Sequence, residues 1–128
     1  MIHLDTSVLI DALTGPARLG FQLRQAVRDG ERLVVSTLVV YEWLRGPRTE
    51  ADRRVLVALF PMEQAVVFDG IAAARAAALY RRVKRPRGRE IDLAIAACAL
   101  EYDAALWTLN PGDFDDIPGL RLYPTRSG

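Results

Sequence analysis

The residues of this chain best suited to chemistry are acids set among apolar neighbours. Asp5 interrupts MIHLDTSVLIDAL, with Ile2 and Leu4 before it and Val8, Leu9 and Ile10 after it. Glu42 lies inside LVVYEWL, and Asp92 stands at the start of IDLAIAACAL. A lone carboxylate in apolar surroundings is costly unless it is paired, hydrogen-bonded, protonated or bound to a metal. Three of them need a shared cation or three separate explanations. The separate explanations are ordinary ones. Asp5 caps a helix beginning at Thr6 or Ser7, Glu42 faces solvent or pairs with Arg45 three residues on, and Asp92 complements the dipole of its own helix. A fourth acid comes from WTLNPGDFDDIPGL, where Asp113, Asp115 and Asp116 are all available and Thr108 and Asn110 add neutral oxygens. That loop also reads as a solvated, turn-rich segment. Four carboxylates converging without histidine or cysteine form a hard-oxygen site, which suits Mg²⁺ or Mn²⁺ and disfavours Zn²⁺. The only histidine, His3, falls inside the first expected strand and reads as a packed or edge residue.

An acidic pocket repels polyanions unless cations stand nearby. The stretch RRVKRPRGRE (81–90) sets Arg81, Arg82, Lys84, Arg85, Arg87 and Arg89 against a single glutamate. Basic residues favour a helix end, but this many, immediately before the Asp92 helix, exceed what capping needs. They are expected to contact phosphate groups and to make binding of a polyanion salt-sensitive. With a net charge of only +1, such affinity has to come from a local patch. Glu90, two residues before Asp92, points elsewhere on the helix and is expected to be peripheral. Tyr41, Trp43, Val55, Leu56, Leu59 and Phe60 form an apolar and aromatic set that serves either as core or, in part, as a surface for a partner.

These residues must be positioned by the elements around them. MIHL reads as a short strand, followed by a helix stopping near Gly15-Pro16 and a second helix over 17–29 with Gly30 as its stop. RLVVS (32–36) is a β-branched strand leading into the helix TLVVYEWLRG. Thr49 and Asp52 make a capping box for the next helix, which Pro61 closes. AVVF (65–68) is a third strand, with Asp69 capping an alanine-rich helix that runs to about Lys84. IDLAIAACALEY is a helix apolar nearly all round and hence buried. ALWTL (105–109) and LRLY (120–123) complete the set as a fourth strand and a weaker fifth.

This alternation predicts a three-layer α/β/α sandwich with a central, mainly parallel sheet of about five short strands. In such sheets, ligands gather at the carboxyl ends of the strands where the strand order reverses. Asp5, the start of the Asp92 helix and the acidic loop all fall at that end. The 128 residues fit one domain, 1–128, whose composition (51% apolar, 26% charged) is that of a soluble globular protein. Cys98, the only cysteine, reads as a small core residue. Residues 1–13 lack a basic leader and carry Asp5 and Asp11, and no apolar run approaches the ~18 residues of a membrane span. A cytoplasmic protein with no membrane association is expected.

MIHLDTSVLID, VVYEWLRG, REIDLAIAACAL and LWTLNPGDF, in that order, resemble the four acidic motifs of PIN-domain ribonucleases, in particular the VapC-type toxins of toxin–antitoxin pairs. The resemblance covers essentially the whole chain. It implies that Asp5, Glu42, Asp92 and Asp113 hold one or two Mg²⁺ or Mn²⁺ ions. Asp113 is the fourth acid on this reading because it precedes Phe114 in the family's Asn-x-x-Asp-Phe arrangement. Thr6 and Ser7 would hydrogen-bond around the first acid, and Thr108 and Asn110 would support the last. The resemblance further implies endonucleolytic cleavage of RNA leaving a 5′-phosphate and a 3′-hydroxyl, a homodimer, and a cognate VapB-like antitoxin. A haloacid-dehalogenase-like phosphatase also places an aspartate after its first strand, but it requires a second one where this chain has Ser7. The remaining alternative is a catalytically silent RNA- or protein-binding module of the same fold.

Overall fold

Ile2–Leu4 (β1) is only three residues long, and all three are buried. Burial on both faces is the mark of a strand inside a helix-covered parallel sheet. Leu33–Val34 (β2) pairs with β1 in parallel on one side, and Ala105–Trp107 (β3) does so on the other. The strand order is therefore β2-β1-β3. The chain leaves β1 in one direction and later returns to its opposite side, so the reversal point lies beside the carboxyl end of β1. The computed structural model describes residues 1–14 and 18–125. The expected stop at Gly15-Pro16 and the expected start of the second helix at 17 lie outside the described residues.

Among the described residues, six α-helices surround the sheet: Thr6–Thr14 (α1), Arg18–Arg28 (α2), Thr37–Arg45 (α3), Glu50–Leu59 (α4), Gly70–Arg82 (α5) and Glu90–Glu101 (α6). Their boundaries follow local chemistry. Gly30, at φ +89, takes the left-handed turn that ends α2, a conformation glycine adopts without steric cost. Ser36 Oγ accepts from the Val39 N–H at the start of α3. Thr49 and Asp52 form the reciprocal capping box of α4. Asp69 accepts from the Ala72 N–H and starts α5. That helix stops at Arg82, short of Lys84, because Val83 turns extended and its side chain enters the core.

The two outer strands shrink to single parallel bridges, Ser36↔Val66 and Leu106↔Leu122. The first cannot extend because its partner strand becomes α3 at Thr37. The Phe68 N–H is accordingly satisfied by the Thr37 hydroxyl instead of a strand carbonyl. The second makes two ladder bonds, Leu106 N–H to Arg121 O and Tyr123 N–H to Leu106 O. The predicted five-strand order thus survives as three strands and two bridges.

One large core cluster joins Ile2, Leu4, Val8, Leu9, Trp43 and Leu56 with Phe114 and Ile117. A smaller one gathers Val34, Val66, Ala72 and Cys98. Helix α6 is buried from Leu93 to Ala99, as its all-round apolar sequence demands. His3 is packed in the sheet beside the Tyr102 ring, and burial lowers its pKa to about 4. No helix among the described residues is long and apolar enough to cross a membrane. Because Ser36 is buried and caps the helix that carries Glu42, Ser36→Ala should lower the unfolding free energy by about 1 kcal/mol in urea titration.

Candidate metal centre

Asp5 is the first residue after β1, and its N–H donates to the Trp107 carbonyl, so the backbone of the neighbouring strand sets its place. Its side chain does not act as the simple helix cap that the sequence allowed. Asp5 Oδ2 instead accepts two hydroxyls, Ser7 Oγ at 2.8 Å and Thr108 Oγ1 at 2.7 Å. Each hydroxyl is oriented from behind. Ser7 Oγ accepts the Leu109 N–H and Thr108 Oγ1 accepts the Asn110 N–H, both at 3.0 Å. A hydroxyl that accepts from an amide has its single hydrogen free to donate, and both are spent on the same carboxylate oxygen. Asn110 takes part through its backbone, its carbonyl also accepting the Asp113 N–H.

Glu42 faces this group from α3. Thr6 Oγ1 donates to Glu42 Oε1 at 2.7 Å, and Arg45 Nη2 stands 3.7 Å from Glu42 Oε2. Both ordinary explanations are partly realised, since Glu42 is half-buried and pairs with Arg45, but its other oxygen is held by the residue next to Asp5. Arg45 in turn lies over the Tyr41 ring at 5.0 Å.

Asp92 occupies the first turn of α6, half-buried. Burial, and then the negative charges of Asp5, Asp113 and Glu42, push its carboxyl up to about 6, against a smaller opposing effect of Arg89. The four acids singled out from the sequence therefore lie within electrostatic reach of one another. Among Asp113, Asp115 and Asp116, only Asp113 bears on Asp92 in this way. Asp113 ends a short 3-10 turn, Pro111–Asp113, and the buried Phe114 and Ile117 on either side of Asp115 and Asp116 pin this loop to the core.

Among the described residues, no three His, Cys, Asp or Glu side chains stand close enough to grip one ion together. The donor set is nonetheless of the right type. Mg²⁺ is commonly held by one or two carboxylates and keeps several of its waters, so an all-protein cage is not required. Oxygen donors alone, with His3 turned into the core, suit Mg²⁺ or Mn²⁺.

The basic stretch divides. Arg81, Arg82, Lys84, Arg85 and Arg87 are exposed and available to an anion. Arg89, expected among the phosphate contacts, is engaged otherwise. Its guanidinium grips Asp116 with both terminal nitrogens, at 2.6 and 3.0 Å, and also donates to the Asp113 carbonyl at 2.8 Å. This pairing had no signal in the sequence, because the partners are 27 residues apart and belong to no shared periodic face. Glu90 is exposed and accepts from the Gly88 N–H, away from the acids. The apolar set splits as well. Trp43 and Leu56 are core, and Arg48 stacks on the Trp43 ring at 4.4 Å. Tyr41, Val55 and Leu59 are exposed.

Residues 2–120 match the family described as PIN domain. The chain is 33% identical over 121 residues to Ribonuclease VapC19 of Mycobacterium tuberculosis, a match spanning 92% of this chain and 95% of that protein. Among solved structures, VapBC2 from Rickettsia felis, bound to a promoter DNA fragment, has the same fold at a TM-score of 0.75 and 20% identity, covering 98% of this chain and 100% of that one. VapBC-1 from nontypeable Haemophilus influenzae matches at a TM-score of 0.70 and 26% identity, covering 96% and 97%.

The raised pKa of Asp92 has a consequence for stability. The folded state holds this proton more tightly than the unfolded chain, from an ordinary 3.8 up to about 6. Ionised Asp92 therefore destabilises the fold, fully above pH 6 and not at all below about pH 4. In chelator-treated protein, Asp92→Asn should melt a few degrees above the parent at pH 7.5, and the gap should close as the pH falls to about 4. Thermal melts across that range check both the sign and the window.

Proposed function

The chain belongs to the PIN-domain family, within its VapC group, and on that footing we propose that it is a Mg²⁺- or Mn²⁺-dependent endoribonuclease. It would act as the toxin of a toxin–antitoxin pair. The observation that carries this reading is the gathering of Asp5, Glu42, Asp92 and Asp113 from four separate segments, close enough for three of them to raise the pKa of the fourth. Such a concentration of negative charge is unfavourable in the bare protein and favourable around a divalent cation.

A bound divalent ion supplies a water of lowered pKa and neutralises charge on a phosphodiester oxygen. Asp5, Glu42, Asp92 and Asp113 would hold it. Ser7 and Thr108 keep Asp5 Oδ2 in one orientation, and Thr6 does the same for Glu42 Oε1. The exposed Arg81, Arg82, Lys84, Arg85 and Arg87 lie just before the Asp92 helix and would draw the RNA backbone toward the acids. Cleavage would leave a 5′-phosphate and a 3′-hydroxyl. A homodimer bound by a VapB-like antitoxin is part of the same proposal. Support comes from the exposure of Tyr41, Val55 and Leu59, and from related structures such as a toxin–antitoxin complex from Klebsiella pneumoniae.

A catalytically silent binding module is the second reading. It draws on the lack, among the described residues, of three acids at a common ligand distance. Cleavage of RNA by the purified chain separates the two. Activity that needs Mg²⁺ or Mn²⁺, disappears in EDTA and falls to background in Asp5→Asn supports the enzyme. No cleavage under any metal supports the silent module, and full activity in Asp5→Asn overturns the assignment of the metal site. Reversing the charges of Arg85 and Arg87 should weaken RNA binding and lower the slope of log affinity against log salt by about 0.7 for each phosphate no longer neutralised. An unchanged slope would remove these residues from the RNA path.

A further inference from the structure

Arg89 links three segments that the sequence keeps apart. It is the cap residue of α6, three positions before Asp92. Its Nη1 donates to Asp116 Oδ2 at 3.0 Å and makes a longer contact of 3.4 Å with the Arg85 carbonyl. Its Nη2 donates to Asp116 Oδ1 at 2.6 Å and to the Asp113 carbonyl at 2.8 Å. The side chain is only 18% exposed, unlike the other basic residues of the stretch 81–89. The planar fork of a guanidinium matches both oxygens of a carboxylate, so this contact restrains orientation as well as distance.

The consequence lies in which backbone is being held. Asp92 is rigid on a buried helix, whereas Asp113 sits on an exposed turn. Phe114 and Ile117 anchor that turn to the core below, and the bond from Asp113 N–H to Asn110 O closes it on one side. Arg89 closes the other side, and does so from the helix that carries Asp92. We propose that Arg89, clamped to Asp116 and to the Asp113 carbonyl, is a positioning residue that sets the separation of the Asp92 and Asp113 carboxylates for a divalent cation. The proposal rests on the metal-dependent reading above, and it removes Arg89 from the RNA-contacting set.

Charge alone and positioning make opposite forecasts for loss of Arg89, which is what allows a decision. If only charge mattered, losing the Arg89 cation would tighten binding of a divalent cation, and losing the Asp116 anion would weaken it. If the clamp positions the acids, either loss weakens binding, because each frees the Asp113 turn. Partners that orient metal ligands from behind typically contribute ten- to a hundredfold in affinity, so about tenfold is expected for each variant.

The test is Mn²⁺ titration by calorimetry of the full chain, for the parent, Arg89→Gln, Asp116→Asn, their double variant and Arg89→Lys. Thermal melts serve as the check on folding. The expected result is about tenfold weaker Mn²⁺ binding in both single variants and no further loss in the double, since both remove one clamp. Arg89→Lys, which keeps the charge but loses the fork, should not recover parent affinity. Tighter binding in Arg89→Gln, full recovery in Arg89→Lys, or parent-like affinity in both single variants overturns the positioning role while leaving the metal-dependent reading intact. A parent that binds no Mn²⁺ overturns both.

Discussion

The organisation of this protein depends on a single carboxylate oxygen between two parallel strands. Asp5 leaves the carboxyl end of β1, and its Oδ2 takes the hydroxyls of Ser7, on the first turn of α1, and Thr108, just after β3. Those hydroxyls are held by the amides of Leu109 and Asn110, so the loop leaving β3 is bonded back to the residue leaving β1. The Asp5 N–H meets the Trp107 carbonyl and completes the link through the sheet. At 6% exposure, a carboxylate without such partners would be expensive to bury. Here the cost is offset by bonds that also determine where the two loops run.

Charge builds outward from that point. Glu42 is brought up by α3 and tied through Thr6, Asp92 by the buried helix α6, and Asp113 by a turn anchored through Phe114. The strain of gathering these acids appears at Asp92, whose carboxyl is pushed up by burial and by the charges of Asp5, Asp113 and Glu42. The cations are distributed accordingly. Arg45 pairs with Glu42, and Arg89 is engaged with the acidic loop. The remaining basic residues of 81–87 stay exposed.

Elements governed by local chemistry were legible in the chain before any coordinates. The capping box at Thr49 and Asp52, the Asp69 cap, the Gly30 stop and the all-apolar α6 are short-range consequences of residue type, and each stands where the pattern puts it. The same holds for the placement of Asp5, Asp92 and the acidic loop at strand ends, because alternating strands and helices leave few other arrangements. Strand lengths were less legible. Pairing at 65–68 and 120–123 is limited to single bridges, the first because its partner strand turns into a helix at Thr37. The end of α5 was set by Val83 entering the core, a tertiary demand that overrides the helical preference of its neighbours.

By itself the sequence determined the fold, the sheet end that bears the acids and which residue types stand there, because periodicity, caps and strand-end position act over a few residues. Tertiary structure decided what each side chain does there. It alone joined Thr108 to Asp5, Thr6 to Glu42 and Arg89 to Asp116, contacts that span 103, 36 and 27 residues. A run of arginines reads as uniform positive charge in one dimension. In three, the single guanidinium facing an acidic turn is drawn into it, because a bidentate pair there is stronger than exposure to water.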